Sequence, residues 1–140
     1  MIESNSGTLH LTEEELVRGI EGCTLDSEFH HADHIRLAWI YLRMMPAAEA
    51  EERMAVALRR YSAHKGKPER YHHTMTLAWM RLVAAARRAS PQLNMFEEFI
   101  AAHPHLAHQQ TLMRHYSQHR LDNHTARTEW LEPDMEPLDS

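Results

Sequence analysis

The sequence has little of what builds a disulfide framework, a β-sheet or a membrane span. Cys23 is the single cysteine among 140 residues, so the chain cannot form an internal disulfide or a cysteine-rich zinc site. Runs of β-branched residues and Asn-Gly or Asp-Gly turns, which are typical of hairpins, are nearly absent. No stretch approaches the roughly 20 apolar residues that a membrane-spanning helix needs. These absences favour a reduced, soluble, helical protein.

Positive charge is also in short supply. The 15 Lys and Arg residues face 20 Asp and Glu residues, which gives a formal net charge of −5 with neutral histidines. That balance argues against a general nucleic-acid binder. The N-terminal segment MIESNSGTLHLTEEE has neither the basic region nor the apolar run of a signal peptide. We therefore expect a cytoplasmic protein that binds neither nucleic acid nor membrane.

Helix signals, in contrast, are dense. Thr12 and Glu15 have the spacing of a capping box at the start of a first helix, which should end near Gly22. Apolar residues spaced three and four apart predict further helices over residues 30–45, 46–64, 68–89, 95–102 and 106–119. The predicted fold is all-α: a single-domain bundle of about five to six mostly antiparallel helices. This domain should cover residues 1–131, and an acidic, proline-containing tail, extended or disordered, should cover residues 132–140.

Histidine is the unusual component, with 13 residues scattered along the chain. On the second predicted helix, His31 and His34 fall about 60° apart on the buried side, and His30 lies at its edge. On the fourth, His72 lies beside the buried stripe and His73 points away from it. Histidines three or four residues apart on a helix can reach one metal ion. The histidines of these two helices are therefore the main candidates for a functional site.

We expect this site to lie between the second and fourth helices. His31, His34 and His72 would ligate a divalent transition metal, with zinc or iron as first candidates, and would leave one position open. His30 or His73 could join them. The same side chains could instead line a metal-free polar pocket, or serve as structural histidines that bond backbone carbonyl groups.

A second candidate pair lies further along the chain, and common catalytic motifs are missing. His115 and His119 are four residues apart, with His108 on the same predicted helix face, but no apolar stripe clearly surrounds them. The chain has no His-Glu-x-x-His motif, no phosphate-binding loop and no serine in a nucleophile-elbow context. Cys23 has no identified activating neighbour, which argues against a catalytic thiol.

Three segments of the chain form a recognisable pattern. The segment FHHADHIRLAWIYLR contains F-x-H-x-x-H-x-R-x-A-W, the segment YHHTMTLAW contains Y-H-x-T-x-T, and PDMEPL near the end contains P-D-x-x-P-L. By this pattern the chain resembles a family of small all-helical bacterial proteins from Phe29 onward. The resemblance implies a shared fold but no particular activity. It marks the residues His31, His34, Arg36, Trp39, Tyr71, His72, Thr74 and Thr76. Relatives often carry an acidic residue in place of His73 and an aromatic one in place of His115, which weakens the second histidine pair.

Together these features predict a small metal-dependent enzyme of small-molecule metabolism, specialised metabolism included. Tyr71, His73 and Thr76 would place or protonate the substrate. Hydrolysis or hydration would suit zinc, and oxidative chemistry would suit iron or copper. One alternative is a non-catalytic helical protein that binds a ligand or senses metal or pH, and another is a metal-free enzyme with a histidine acid–base pair. The expected partner is a small-molecule substrate or ligand, and a homodimer is slightly favoured over a monomer.

Overall fold

The computed structural model describes Thr8, residues 10–26 and residues 28–138. This part of the chain is all-helical and contains no β-strand, which confirms the predicted fold class. By its internal contacts the chain divides into two compact units, Met1–Arg70 and Tyr71–Ser140. Each unit is described by itself below, and the single domain over residues 1–131 stays a prediction.

The described residues of the first unit form three α-helices that each contact the other two. They are α1 (Glu13–Glu21), α2 (His31–Met44) and α3 (Ala47–His64), and a 3-10 helix follows at Pro68–Arg70. The bounds of α1, α2 and α3 agree with the predicted ones to within one residue. Gly66 follows α3 with φ of 76° and so provides the left-handed residue that ends this helix.

The start of α1 confirms the predicted capping box. The backbone N–H of Glu15 donates to Oγ1 of Thr12 at 3.1 Å, and the backbone N–H of Thr12 donates to Oε1 of Glu15 at 2.9 Å. These bonds satisfy two donors that helix geometry leaves unpaired, and such a cap stabilises a helix by about 1 kcal/mol. The cap therefore fixes where α1 begins, and Leu16 and Ile20 then point into the core with no exposed surface.

The first turn of α2 is organised by Asp33, which the sequence reasoning missed. Asp33 is buried, and its carboxylate accepts the backbone N–H of His30 at 2.7 Å and both the N–H and the hydroxyl of Thr8. The guanidinium of Arg36 donates to the carbonyl oxygens of Thr8 at 2.8 Å and Leu11 at 2.7 Å. Asp33 and Arg36 thus attach the chain ahead of α1 to α2.

Up to residue 138, the second unit forms four α-helices and two 3-10 helices. The α-helices are α4 (His73–Ala89), α5 (Phe96–Ala102), α6 (Gln118–Leu121) and α7 (His124–Thr128). The 3-10 helices are Pro104–Ala107 and Gln109–Arg114. α7 contacts both α4 and α6, and the two 3-10 helices contact each other. This half of the chain is therefore built from shorter elements than its apolar spacing predicts.

The prediction of one helix over residues 106–119 is wrong. The hydroxyl of Thr111 donates to the carbonyl oxygen of His105 at 2.7 Å, and Oγ of Ser117 accepts the backbone N–H of Arg120 at 3.1 Å. Side chains of this kind compete with the regular helix ladder and favour caps and turns. Ser117 is consequently the N-cap of a separate short helix, α6, and the preceding 3-10 helix does not continue through it.

The start of α4 also differs from the prediction, which placed it near Pro68. The chain forms a 3-10 helix at Pro68–Arg70, and α4 begins only at His73. His72 precedes the helix as its N-cap, with Nδ1 accepting the backbone N–H of Met75 at 3.1 Å. His72 therefore lies just outside the helix on which its position was predicted.

The C-terminal segment up to residue 138 is hydrogen-bonded within the second unit. The backbone N–H groups of Met135 and Glu136 donate to the carbonyl oxygens of His115 at 3.0 Å and Arg114 at 3.2 Å. Nδ1 of His115 lies 2.9 Å from the carbonyl oxygen of Glu136, and Leu138 is buried. The described residues up to 138 are thus attached to the second unit, and an extended or disordered tail over residues 132–140 stays a prediction.

Each unit has its own apolar core. Ile35 and Trp39 are fully buried in the first unit, as are Phe99 and Tyr116 in the second. Among the helices that the structure describes, none is long and apolar enough to cross a membrane.

Candidate functional site

The three predicted metal ligands belong to different units. His31 and His34 lie in the first turn of α2, whereas His72 precedes α4. Across Thr8 and residues 10–26 and 28–138, no group of three or more His, Cys, Asp or Glu side chains is arranged to hold a metal ion. The three-histidine site stays a prediction. Whether each of these histidines can bind a metal ion depends on the hydrogen bonds and burial of its ring.

Both ring nitrogens of His72 are engaged in hydrogen bonds. Nδ1 accepts the backbone N–H of Met75, so Nε2 carries the proton and donates to the carbonyl oxygen of Leu121 at 2.8 Å. Burial lowers the pKa of His72, although the bond to Leu121 raises it in part. The ring is therefore a neutral structural link between the start of α4 and the end of α6. In this arrangement neither nitrogen offers a lone pair to a metal ion.

His34 has very different surroundings, at the edge of an aromatic group. Its ring meets that of Phe29 edge-on, with 4.9 Å between ring centroids and 67° between planes. The ring of Phe29 lies 5.8 Å from that of Tyr61 on α3. All three side chains are partly exposed. With His31, which acts electrostatically on His34, they form what we call the Phe29 cluster.

The imidazole of His34 is neutral over the whole physiological range. Burial, and then the charge of His31, lower the pKa of His34 to about 4. Within the described chain no group hydrogen-bonds to the ring nitrogens of His34, so one of them presents an available lone pair. Neutral imidazole is the form that binds transition metals and accepts protons. Because His31 and His34 are three residues apart on one helix, both imidazoles can reach the same metal ion.

Tyr71 and His73 form a hydrogen-bonded pair in the second unit. Oη of Tyr71 lies 2.7 Å from Nδ1 of His73, and the two ring centroids are 5.9 Å apart. Both side chains are half-buried. The structure thus brings together two of the three residues predicted to place or protonate a substrate. A phenol bonded to an imidazole at this distance can move a proton between the two rings.

Thr76, the third of these predicted residues, bonds to the main chain instead. Its hydroxyl donates to the carbonyl oxygen of His72 at 2.8 Å, one turn earlier. Thr74 links two distant segments, because its Oγ1 donates to the carbonyl oxygen of Glu129 at 2.7 Å and accepts the N–H of Leu131 at 3.0 Å. Both contacts are structural uses of a threonine. A substrate role for Thr76 stays a prediction.

The helical geometry assumed for the second histidine pair is absent. His115 follows the 3-10 helix Gln109–Arg114, and His119 lies in α6, which starts at Gln118. His115 is buried with Nδ1 at the carbonyl oxygen of Glu136, whereas His119 is exposed. The two residues therefore do not share a helix face, and the four-residue spacing does not place them side by side.

A polar cleft that the sequence reasoning missed lies between α1 and the connector that follows it. Its volume is about 260 Å³, and its charged or polar lining includes His10, Glu15, Arg18, Thr24 and Asp26. The connector can approach α1 closely because helix residue 19 is glycine: a Cβ there would lie 3.0 Å from Leu25. No motif marks this cleft, since three of its lining residues come from a loop whose path the sequence does not predict: Thr24, Leu25 and Asp26.

Comparisons with family models, with curated proteins and with solved structures find no match to this chain. The resemblance carried by the histidine segments therefore stays an expectation, and the geometry alone supports the proposals below.

Proposed function

We propose that this chain is a small metal-dependent enzyme of small-molecule metabolism that holds a divalent transition metal at His31 and His34. The observation that carries the proposal is the state of His34, which is neutral down to a pKa of about 4 and stands three residues from His31 in the Phe29 cluster. Few protons compete with a metal for such a ring near neutral pH.

The surroundings of the two histidines suit a small-molecule site. Phe29 and Tyr61 provide an apolar aromatic wall beside His34, and a partly apolar wall with a few polar groups is the usual lining of such sites. Imidazole ligands favour zinc or iron among the common metals. Such an ion would act as a Lewis acid on a substrate oxygen. Two protein ligands leave coordination positions for water, for the substrate or for a further side chain.

Metal titration of the tag-free protein tests this proposal directly. Elemental analysis and calorimetric titration with Zn²⁺ should show one metal per chain, and His31→Asn and His34→Asn should each weaken binding at least about tenfold. His64→Asn is the matched control, because His64 is an exposed histidine at the end of α3. His72→Asn tests the predicted third ligand, which would have to give up one of its two hydrogen bonds to bind the metal. Wild-type protein without stoichiometric metal, or unchanged affinity in both the His31 and His34 variants, overturns the proposal.

The Tyr71–His73 pair supports a second candidate function, a metal-free enzyme that uses acid–base catalysis. The observation in its favour is the 2.7 Å contact between Oη and Nδ1. Once products of neighbouring genes suggest a substrate, Tyr71→Phe should lower kcat by about 100-fold and leave KM nearly unchanged, because it removes only the transferable proton. Activity that survives chelation but is lost in this variant favours the acid–base pair. Activity that is lost on chelation and retained in Tyr71→Phe favours the metal site.

A further inference from the structure

Ser90 and His103 terminate two successive helices of the second unit. α4 ends at Ala89 and α5 at Ala102, and the next residue in each case has left helical backbone, with φ and ψ of −134° and 60° at Ser90 and −130° and 65° at His103. Oγ of Ser90 lies 2.9 Å from Nε2 of His103. Both side chains are half-buried, so a ligand can reach them from solvent.

Neighbouring rings hold the imidazole of His103 in place. Its centroid lies 5.2 Å from that of Phe99, which is fully buried. On another side, the ring of His105 meets it at 6.0 Å with an interplanar angle of 78°. Because Phe99 is fully buried, its contact restricts the rotamers open to His103 and so the directions in which Nε2 can point. Packing thus performs the orienting role that a carboxylate has in many serine–histidine pairs.

We propose that Ser90 and His103 are a nucleophile and its general base, which together hydrolyse activated carboxylic esters. Oγ of Ser90 forms a bond to the ester carbonyl carbon while its proton moves to Nε2 of His103. The bond from that carbon to the alcohol or phenol oxygen breaks, and His103 returns the proton to the leaving oxygen. Water then attacks the acyl-serine with His103 accepting its proton, which releases the carboxylic acid and restores the hydroxyl of Ser90. This site uses no residue of the Phe29 cluster and does not depend on the proposed metal.

A fluorophosphonate probe tests the nucleophile, because it forms a stable bond to an activated serine with loss of fluoride. Intact mass and peptide mapping should show one adduct per chain, at Ser90. The rate of p-nitrophenyl acetate hydrolysis should fall in proportion to the fraction of protein that carries this adduct. Ser90→Ala should abolish the adduct, and His103→Asn should slow labelling by about 100-fold. The matched controls, Ser62→Ala in α3 and the exposed His108→Asn, should label at the wild-type rate. Circular dichroism confirms that each variant is folded.

Wild-type protein without a Ser90 adduct, or His103→Asn labelled as fast as wild type, overturns the proposal. A second measurement applies if the substitutions disturb the fold. In a Cys23→Ala background, Ser90→Cys should react with iodoacetamide about tenfold faster when His103 is present than when it is asparagine, because the imidazole favours the thiolate. Equal rates in the folded proteins also overturn it.

Discussion

Nε2 of His72 donates to the carbonyl oxygen of Leu121, 2.8 Å away and 49 residues further along the chain. The other nitrogen of the same ring caps α4 by accepting the N–H of Met75. One neutral side chain thus fixes the first turn of α4 and attaches it to the end of α6. A histidine that is engaged on both sides contributes mainly to the folded state of the second unit.

Replacement of His72 by alanine should therefore destabilise the protein. We expect His72→Ala to lower the free energy of unfolding by about 2 kcal/mol, the sum of a lost helix cap and a lost buried hydrogen bond. His72→Asn should recover about half of this loss, since asparagine is a good N-cap but is too short to reach Leu121. Urea denaturation at pH 7.5 measures both variants. If the alanine variant is as stable as wild type, the two hydrogen bonds of the His72 ring do not stabilise the folded protein.

The first unit could be predicted well because its signals are local. The capping box of Thr12 and Glu15 and the apolar spacing of α2 and α3 each involve residues within one or two turns. The second unit could not, because Thr111 and Ser117 break the helical pattern through side-chain bonds whose geometry is set by the folded chain. Spacing alone gives such a segment the periodicity of one long helix.

The site could be predicted only in part, for the same reason. Periodicity placed His34 on the side of α2 that carries the buried stripe, since that depends on a single helix, and its side chain is partly exposed there. Its contact with Phe29, and the contact of Phe29 with Tyr61, depend on how a connector packs against α3. Side chains from separate segments meet only in the folded chain, so their partners are not visible in the sequence.

His34 should make the stability of the protein depend on pH. Its pKa is about 4 in the folded state against an ordinary value of 6.5, so the unfolded chain binds more protons between these two values. The stability from a neutral His34 is therefore complete above 6.5 and is lost as the pH falls toward 4. We expect a loss of about 2 to 3 kcal/mol for this shift, reduced somewhat by the partial exposure of the ring.

Two measurements check this prediction. An NMR titration should show His34 as the imidazole that remains neutral at the lowest pH, and His34→Phe should remove most of the slope of unfolding free energy between pH 7 and pH 4. His64→Asn, a substitution of an exposed histidine, should retain that slope. A His34 pKa near 6.5 would contradict both the burial argument and the availability of its lone pair for metal at lower pH.

Cys23 carries backbone strain that a substitution should relieve. It adopts φ of 56°, in the left-handed region, where most residues with a Cβ are disfavoured and asparagine and glycine are tolerated. Cys23→Asn should raise the free energy of unfolding by about 0.5 to 1 kcal/mol. Cys23→Val, with a branched Cβ at the same position, should lower it. Thermal denaturation of both variants gives the comparison, and equal melting temperatures would mean that the connector relaxes around this residue.

Thr74 offers the sharpest test of what holds the C-terminal part of the chain. Its Oγ1 has partners 55 and 57 residues away, Glu129 and Leu131, whereas Oγ1 of Thr76 bonds only to the preceding turn. Thr74→Val keeps the shape but leaves a donor and an acceptor of the main chain unpaired, so we expect it to lower unfolding free energy by about 2 kcal/mol. Thr76→Val should lower it by about 1 kcal/mol or less, because the carbonyl of His72 keeps its bond to the Thr76 N–H. Hydrogen exchange at the Leu131 amide distinguishes the two variants, because only Thr74→Val should make this amide exchange faster than in wild type. Equal protection of the amide in both variants would show that other contacts hold the segment around Leu131.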